Sequence, residues 1–208
     1  REIGDFVNEK ESLRMLEIGA GTGLATEDFC AFENIEITAL DLDENCYNIL
    51  KDRKLPRVKA LNENAITFCE PGEFDLSVSV FAHDHIKLEL ASSFVSNIRN
   101  NLKDGGLYLM GGEVLPYYNT MEERIESNYT YHIFIINKAL REGNYELAQI
   151  EIEALKSGVQ MIGDFKRHEA LFEEEMLSEK FEMVNKIKLG PEIPNDVGGV
   201  FVYVFKAI

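Results

Sequence analysis

An α/β fold built on a doubly wound sheet of seven mostly parallel strands is predicted by three features of the chain. A buried-strand run, Arg14-Met15-Leu16-Glu17-Ile18, leads straight into a turn with glycines at 19, 21 and 23. Short apolar runs then alternate with helical patterns as far as about residue 113. The chain finishes on two β-rich runs, Phe181 to Leu189 and Val200 to Phe205, with no helical pattern between them. Alternation of strand and helix implies parallel strands, right-handed crossovers and helices on both faces. Two strands joined without a helix pair antiparallel, so the sheet closes on a hairpin.

The elements follow in order. Residues 13–18 read as the first strand, and the glycine turn feeds a helix over 24–31. Glycines at such a turn allow backbone conformations closed to other residues and a close approach of ligand to chain. A second strand, 35–41, carries Ile35, Ile37, Ala39 and Leu40 and stops at Asp41, before a helix over 44–52. The third strand is 57–61; Pro71-Gly72 breaks the chain ahead of the fourth, 74–80. A helix over 87–102 is expected to end at Asp104-Gly105-Gly106, which turns the chain into the fifth strand, 106–113.

About 65 residues separate that strand from the hairpin, far more than a crossover helix needs. Thr120, with Glu123 three residues on, opens a helix as a capping box. Met121, Ile125, Tyr129, His132, Ile133, Ile136 and Leu140 then recur at helical spacing. Gly143-Asn144 breaks this helix, and a second runs from Tyr145 to Lys156 until Ser157-Gly158 stops it. A third, about His168 to Lys180, is the crossover into the sixth strand. The first two form a helical insertion at about 117–163 within one domain spanning 1–208. Its place in the chain sets it beside the C-terminal ends of strands four and five, where ligands bind in open α/β sheets. It reads as a cap over substrate, with a dimerisation pair as the alternative.

Composition narrows the function. The chain has 208 residues, 45% of them hydrophobic, enough for one full core. A formal net charge of −16 opposes a nucleic-acid surface, which normally shows a basic face. Cys30, Cys46 and Cys69 are odd in number and lack metal-ligand spacing, so reduced thiols, no bound metal and a cytoplasmic setting are expected. No apolar run reaches the length of a membrane span and no signal peptide is visible, so no membrane partner is expected. Arg1 is not a native start, and further N-terminal sequence is expected ahead of it. The expected partner is a small-molecule substrate, and the expected assembly a monomer or homodimer.

The glycines of Leu16-Glu17-Ile18-Gly19-Ala20-Gly21-Thr22-Gly23 are spaced GxGxG, not the GxGxxG of a dinucleotide turn. With Glu17 ahead of it, this stretch resembles motif I of the class I S-adenosylmethionine-dependent methyltransferases. Four more matches follow in the family's order: Asp41 at the second strand end, Asn62-Glu63-Asn64-Ala65, the strand from Glu73 to Ser79, and the turn and strand from Asn101 to Leu109. The resemblance covers roughly residues 13 to 114 together with the C-terminal hairpin. It implies S-adenosyl-L-methionine as cofactor. Gly19, Ala20, Gly21 and Gly23 would pass close to its methionine portion, with Glu17 helping to orient it. Asp41 would hold the ribose, Leu42 pack on the adenine, and Asn64 and Ala65 meet its edge.

Methyl transfer from a sulfonium is an in-line displacement that asks the protein to align the acceptor and exclude water. A base is needed where the nucleophile arrives as a hydroxyl or ammonium. Phe81-Ala82-His83-Asp84-His85-Ile86 follows the fourth strand, where the family lines its methyl channel, and Phe81 would pack near the cofactor. His85 with Asp84 orienting it is the first candidate base and His83 the second, because imidazole titrates near neutrality. The competing reading is a histidine that only starts a helix. Glu113, ending the fifth strand, together with Tyr117, Tyr118 and His132, is the candidate substrate wall. Glu173-Glu174-Glu175 is a solvated helix face, and Gly163-Asp164-Phe165-Lys166 carries no assigned role. The expected activity is methyl transfer to a small molecule, at O or N ahead of C. Two alternatives stand beside it: a non-catalytic S-adenosylmethionine-binding protein, and a nicotinamide-dependent oxidoreductase, which the glycine spacing and the hairpin oppose.

Overall fold

The computed structural model describes Val7, residues 11–192 and residues 197–208. Seven strands form one sheet in the order β3-β2-β1-β4-β5-β7-β6: β1 Leu13–Ile18, β2 Ile35–Leu40, β3 Val58–Leu61, β4 Phe74–Val80, β5 Leu102–Val114, β6 Phe181–Gly190 and β7 Gly199–Ala207. β1 to β5 run parallel, whereas β7 pairs antiparallel with both β5 and β6. The strand order reverses between β1 and β4, and that switch point opens a crevice at the strand C-termini. Of the expected loop between the last two strands, residues 193–196 lie outside the described residues.

Both sheet faces are covered. One buries Leu16, Ile18, Phe74, Tyr108 and Phe205 against helices α3 (Ala91–Asn101) and α6 (Glu169–Ser178), through Phe94, Val95 and Ile98 of α3 and Phe172 and Met176 of α6. The other buries Met15, Ile37, Leu76, Val78 and Val204 with Leu50 of α2 (Glu44–Asp52) and Phe29 of α1 (Leu24–Phe29). Alternate residues along β1 thus feed opposite cores, as a strand buried on both faces requires. Gly23 caps α1 at φ +83°, and a Cβ there would overlap the Leu50 side chain. Its hydrogen is what lets α1 close onto α2.

Three local expectations are corrected. The helix expected over 87–102 begins only at Ala91, because Ile86 and Lys87 are extended and short 3₁₀ turns fill His83–His85 and Leu88–Leu90. β5 starts at Leu102, directly after α3, and Asp104-Gly105-Gly106 lies in a bulge inside the strand instead of ending the helix. The second insertion helix does not stop at Ser157-Gly158 but runs through to Gln160, where Met161 takes a left-handed φ of +53°.

The insertion is an antiparallel pair, α4 (Met121–Arg141) and α5 (Tyr145–Gln160). Thr120 caps α4 by accepting from the Glu123 N–H at 3.2 Å, and the Glu123 carboxylate accepts from the Asn119 N–H at 2.6 Å. Its sidedness departs from the sequence pattern. Met121, Ile125, Tyr129, Ile133 and Leu140 are exposed, while Arg124, Ser127, Asn128, Tyr131 and His132 are buried. A one-residue parallel bridge, Leu115 to His168, holds the two ends of the insertion together.

Candidate functional site

A cavity of about 640 Å³ opens at the C-terminal ends of β1, β2 and β4. Three segments wall it: Glu17 to Ala25 around the glycine turn, Leu40 to Leu42 at the tip of β2, and Val80 to Ile86 after β4. Glu63, Asn64 and Ala65 line it as well. Of the residues singled out from sequence, Glu17, Gly19, Ala20, Gly21, Asp41, Leu42, Asn64, Ala65, Phe81 and His85 all line this space. Gly23 does not; its part is the packing against Leu50 described above.

Backbone geometry shapes the cavity. Gly19 has φ +67°, and a Cβ on it would sit 2.5 Å from the Ala82 Cβ, so the turns after β1 and β4 touch here only because Gly19 is bare. Phe81 holds a left-handed φ of +51°, strained for a bulky residue, while its N–H donates to the Gly111 carbonyl at 2.7 Å. Strain of this kind persists where the surroundings over-determine it, and here it turns the half-exposed Phe81 into the cavity wall.

Two carboxylates dominate the electrostatics. Asp41 accepts from the Gly21 N–H at 2.7 Å through one oxygen and from the Asp43 N–H at 2.8 Å through the other. Both oxygens keep a lone pair for a ligand hydroxyl. Asn62 steadies the same tip by donating to the Asp41 and Leu42 carbonyls at 2.9 and 3.1 Å, a role the sequence reading passed over. Glu17 is buried with one oxygen lacking a hydrogen-bond partner; burial pushes it up to about 7, with Thr26 pulling the other way.

The turn after β4 corrects the expected catalytic set. His83 is buried away from the cavity, wedged edge-on between Phe94 and Phe172, and its ring nitrogens meet the Tyr108 hydroxyl at 3.4 Å and Glu175 at 3.3 Å. Burial lowers its pKa, so it is a neutral core histidine. Asp84 does not orient His85. It is buried, accepts from the Glu113 N–H at 3.2 Å, and burial pushes it up to about 6 against the pull of Lys166. The His85 Nδ1–H instead donates to the Gly163 carbonyl, which leaves Nε2 as the acceptor. Among the described residues no group of three or more His, Cys, Asp or Glu is arranged to hold a metal ion.

The candidate substrate wall is rearranged as well. Glu113 receives the Tyr131 hydroxyl at 2.8 Å and the Lys166 ammonium at 3.1 Å, and Lys166 also pairs with Asp164. Burial alone would lower the Lys166 pKa, but these carboxylates outweigh it and hold the group charged. Tyr118 is buried and donates to the Lys166 carbonyl at 3.3 Å. Tyr117 is exposed and meets the His168 ring at a tilt beside a separate pocket of about 200 Å³. His132 is buried against Glu151 at 2.7 Å, inside the α4–α5 pair. None of these four lines the main cavity. The segment Gly163 to Lys166 proves central, since it holds His85 and Glu113, and Arg167 beside it donates to the Ile86 and Phe165 carbonyls while pairing with Glu175 at 3.0 Å. Only the Gly163 break and the closely spaced Asp164 and Lys166 marked it in the sequence.

A family model described as a methyltransferase domain matches residues 15–106. An uncharacterized methyltransferase of Staphylococcus carnosus is 29% identical over 136 residues, covering 56% of this chain and 64% of that protein. The match therefore spans less than two thirds of that relative's length. Among solved structures, an S-adenosylmethionine-dependent methyltransferase from Methanosarcina mazei superposes with a TM-score of 0.66 at 13% identity, over 96% of this chain and 94% of that one. A cyclopropane synthase from Mycobacterium tuberculosis gives 0.69 at 14% identity, over 99% and 82%. The 1,6-didemethyltoxoflavin-N1-methyltransferase of Burkholderia thailandensis, solved with 1,6-didemethyltoxoflavin and S-adenosylhomocysteine bound, gives 0.63 at 14% identity, over 100% and 77%. At such identities these three show a shared fold. The match to the methyltransferase-domain model runs through the strands that wall the cavity, and over almost its whole length the chain shares the fold of S-adenosylmethionine-dependent methyltransferases.

Proposed function

We propose that the chain transfers a methyl group from S-adenosylmethionine to a small-molecule acceptor approaching from the side of the α4–α5 pair. The observation that carries this reading is the cavity, which joins Glu17, the glycine turn and Asp41 to Phe81 and His85 in one space. When bound, the cofactor supplies an electrophilic methyl on a sulfonium. The chain's residues bind, align and exclude water. The unpartnered oxygen of Glu17 suits a ligand ammonium, and the two anchored oxygens of Asp41 suit adjacent ribose hydroxyls. Leu42 offers an exposed apolar face to a base, with Asn64 and Ala65 at its edge.

His85 is the residue placed to take a proton. Its Nδ1–H is committed to the Gly163 carbonyl, so the neutral ring presents a basic Nε2. A hydroxyl or ammonium acceptor must shed a proton during transfer, and this favours O or N over C as the acceptor atom. The exposed apolar stripe of α4 supports a second role for the insertion as a contact between two copies, and shortening the insertion separates that role from a cap.

Calorimetry is expected to show micromolar binding of S-adenosylmethionine and its demethylated product and none of nicotinamide dinucleotides. Tighter binding of a nicotinamide dinucleotide would overturn the assignment. A metabolite-library screen with labelled cofactor then identifies the acceptor. Asp41→Ala is expected to weaken cofactor binding by roughly 2 kcal/mol, about thirtyfold, the usual loss of a charged acceptor of ligand hydroxyls. Undiminished affinity in that variant would place the ribose elsewhere.

A further inference from the structure

The main cavity has more wall than the cofactor reading uses. With Glu17, the glycine turn, Asp41, Leu42, Asn64 and Ala65 given to the cofactor, the largest remaining stretch is the turn after β4: Val80, Phe81, Ala82, His85 and Ile86. All but His85 are apolar. Val80 is 37% exposed and Phe81 49%, although both are large apolar side chains. Apolar groups left open around a concave site mark a surface that a ligand covers. Phe81 is also held at a left-handed φ of +51°, so the fold bears backbone strain to keep this ring in the wall.

The charges of the lining narrow what can lie there. Its ionisable side chains are Glu17, Asp41, Glu63 and His85, and no Lys or Arg joins them among the described residues. Cations of neighbouring segments are engaged elsewhere. Lys166 is buried between Glu113 and Asp164, and Arg167 is buried against Glu175. Arg53 pairs with Glu27 and donates to the Thr22 carbonyl at 3.0 Å. Lys87 follows Ile86 but is exposed and outside the lining. A carboxylate or phosphate brought beside His85 would therefore lose its water and find no counter-ion. A cation fares no better there. Glu17 and Asp41 serve the cofactor, Glu63 belongs to the segment of Asn64 and Ala65, and Asp84 is buried with an oxygen on the Glu113 N–H.

We infer that the acceptor is an uncharged, largely apolar ring compound that lies against Val80, Phe81 and Ile86 and turns one hydroxyl or ring N–H toward His85. This names the substrate class of the proposed methyl transfer and rests on that reading. The turn itself sets the arrangement. His85 keeps Nε2 as an acceptor because Nδ1–H is given to the Gly163 carbonyl, while the side chains beside it in the wall offer only carbon. A ring packs edge-on or offset against the Phe81 ring, and the apolar area taken from water supplies the affinity. One proton-bearing group is all that such side chains can match, because a further polar group of the acceptor would be buried without a partner.

The test uses the whole chain with S-adenosylhomocysteine, which fills the cofactor's place without donating a methyl. Its probes share one ring system and one hydroxyl: 2-naphthol, 6-hydroxy-2-naphthoate and 6-aminomethyl-2-naphthol. The chain has no Trp, so naphthol fluorescence reads binding directly. 2-Naphthol is expected to bind at least about tenfold more tightly than either charged probe, the penalty of a desolvated charge without a partner. Phe81→Ala is expected to weaken 2-naphthol several-fold. Val80→Arg sets a guanidinium at the exposed end of β4 and is expected to close or reverse the lead over 6-hydroxy-2-naphthoate. A smaller lead over either charged probe, tighter binding of one of them, or no binding of 2-naphthol overturns the inference. Either variant ranking and binding the probes as wild type does the same. Should a variant fail to fold, the wild-type ranking decides. Calorimetry with S-adenosylhomocysteine separates the two readings. Bound S-adenosylhomocysteine with the wrong ranking sinks this inference alone, and the expected ranking in a chain that binds no S-adenosylhomocysteine sinks the methyl-transfer reading alone.

Discussion

Replacing residues 117–163 by a short linker is expected to leave cofactor binding nearly intact and to cut methyl transfer at least about a hundredfold, the cost of losing acceptor alignment. Both sheet cores are built without this segment, whose buried side chains Tyr118 and Tyr131 instead form a separate cluster with Leu115. The Leu115–His168 bridge already holds the cut ends together, so the linker spans little. None of the residues lining the cavity lies within the excised stretch. What goes is the Gly163 carbonyl on His85 and the Tyr131 hydroxyl on Glu113, the contacts that tie the insertion to the turn after β4 and to the end of β5. Light scattering and a labelled-methyl assay on the one shortened protein decide between roles. An inactive protein that still binds cofactor supports the cap. A monomer that still turns over substrate sinks it and makes the exposed stripe of Met121, Ile125, Tyr129, Ile133 and Leu140 an interface between copies.

The parts legible in the sequence are those set by local chemistry. Short apolar runs marked β1 and β2, the glycine spacing marked the turn beneath the cavity, and two β-rich runs without a helix marked the antiparallel closing pair. The gathering of Asp41, Gly19 and Gly21 round one cavity followed as well, because each lies where its own strand ends. What failed was decided by partners far away in sequence. His83 and His85 are two residues apart and chemically identical, yet one is claimed by Glu175, 92 residues on, and the other by Gly163, 78 residues on. Nothing local separates them. On α4, apolar spacing pointed to a buried stripe, but Glu151 and Gly158 on α5 offered polar partners that drew His132 and Arg124 inward. The apolar stripe was left outside. The bulge in β5 escaped notice because Asp-Gly-Gly reads equally well as a helix end and as a kink inside a strand.

Glu17→Gln is expected to stabilise the cofactor-free protein above pH 7 by up to about 3 kcal/mol, and by nothing at pH 4.5 or below. The folded chain holds the Glu17 carboxyl at about 7, against 4.5 as its ordinary value. Below 4.5 it is protonated in both folded and unfolded states and costs nothing. As pH rises from 4.5 to 7 the unfolded chain releases this proton while the folded chain keeps it, so stability falls across that window and the full loss applies above it. Glutamine stays neutral throughout. The wild type should therefore lose midpoint steadily through the window relative to the variant, a gap of roughly 5–10 °C at pH 8 for a chain of this size. Asp84, also raised by burial, titrates in the same range, but it is common to both proteins and drops out of the difference. The same substitution removes the carboxylate that lines the cavity with an unpartnered oxygen, so the more stable protein should bind S-adenosylmethionine more weakly. Thermal melts from pH 4 to 8 with calorimetry at pH 8 give both readouts. Parallel melting curves for the two proteins would show that Glu17 ionises freely in the folded chain, and with that the argument for its waiting on a ligand cation would fail.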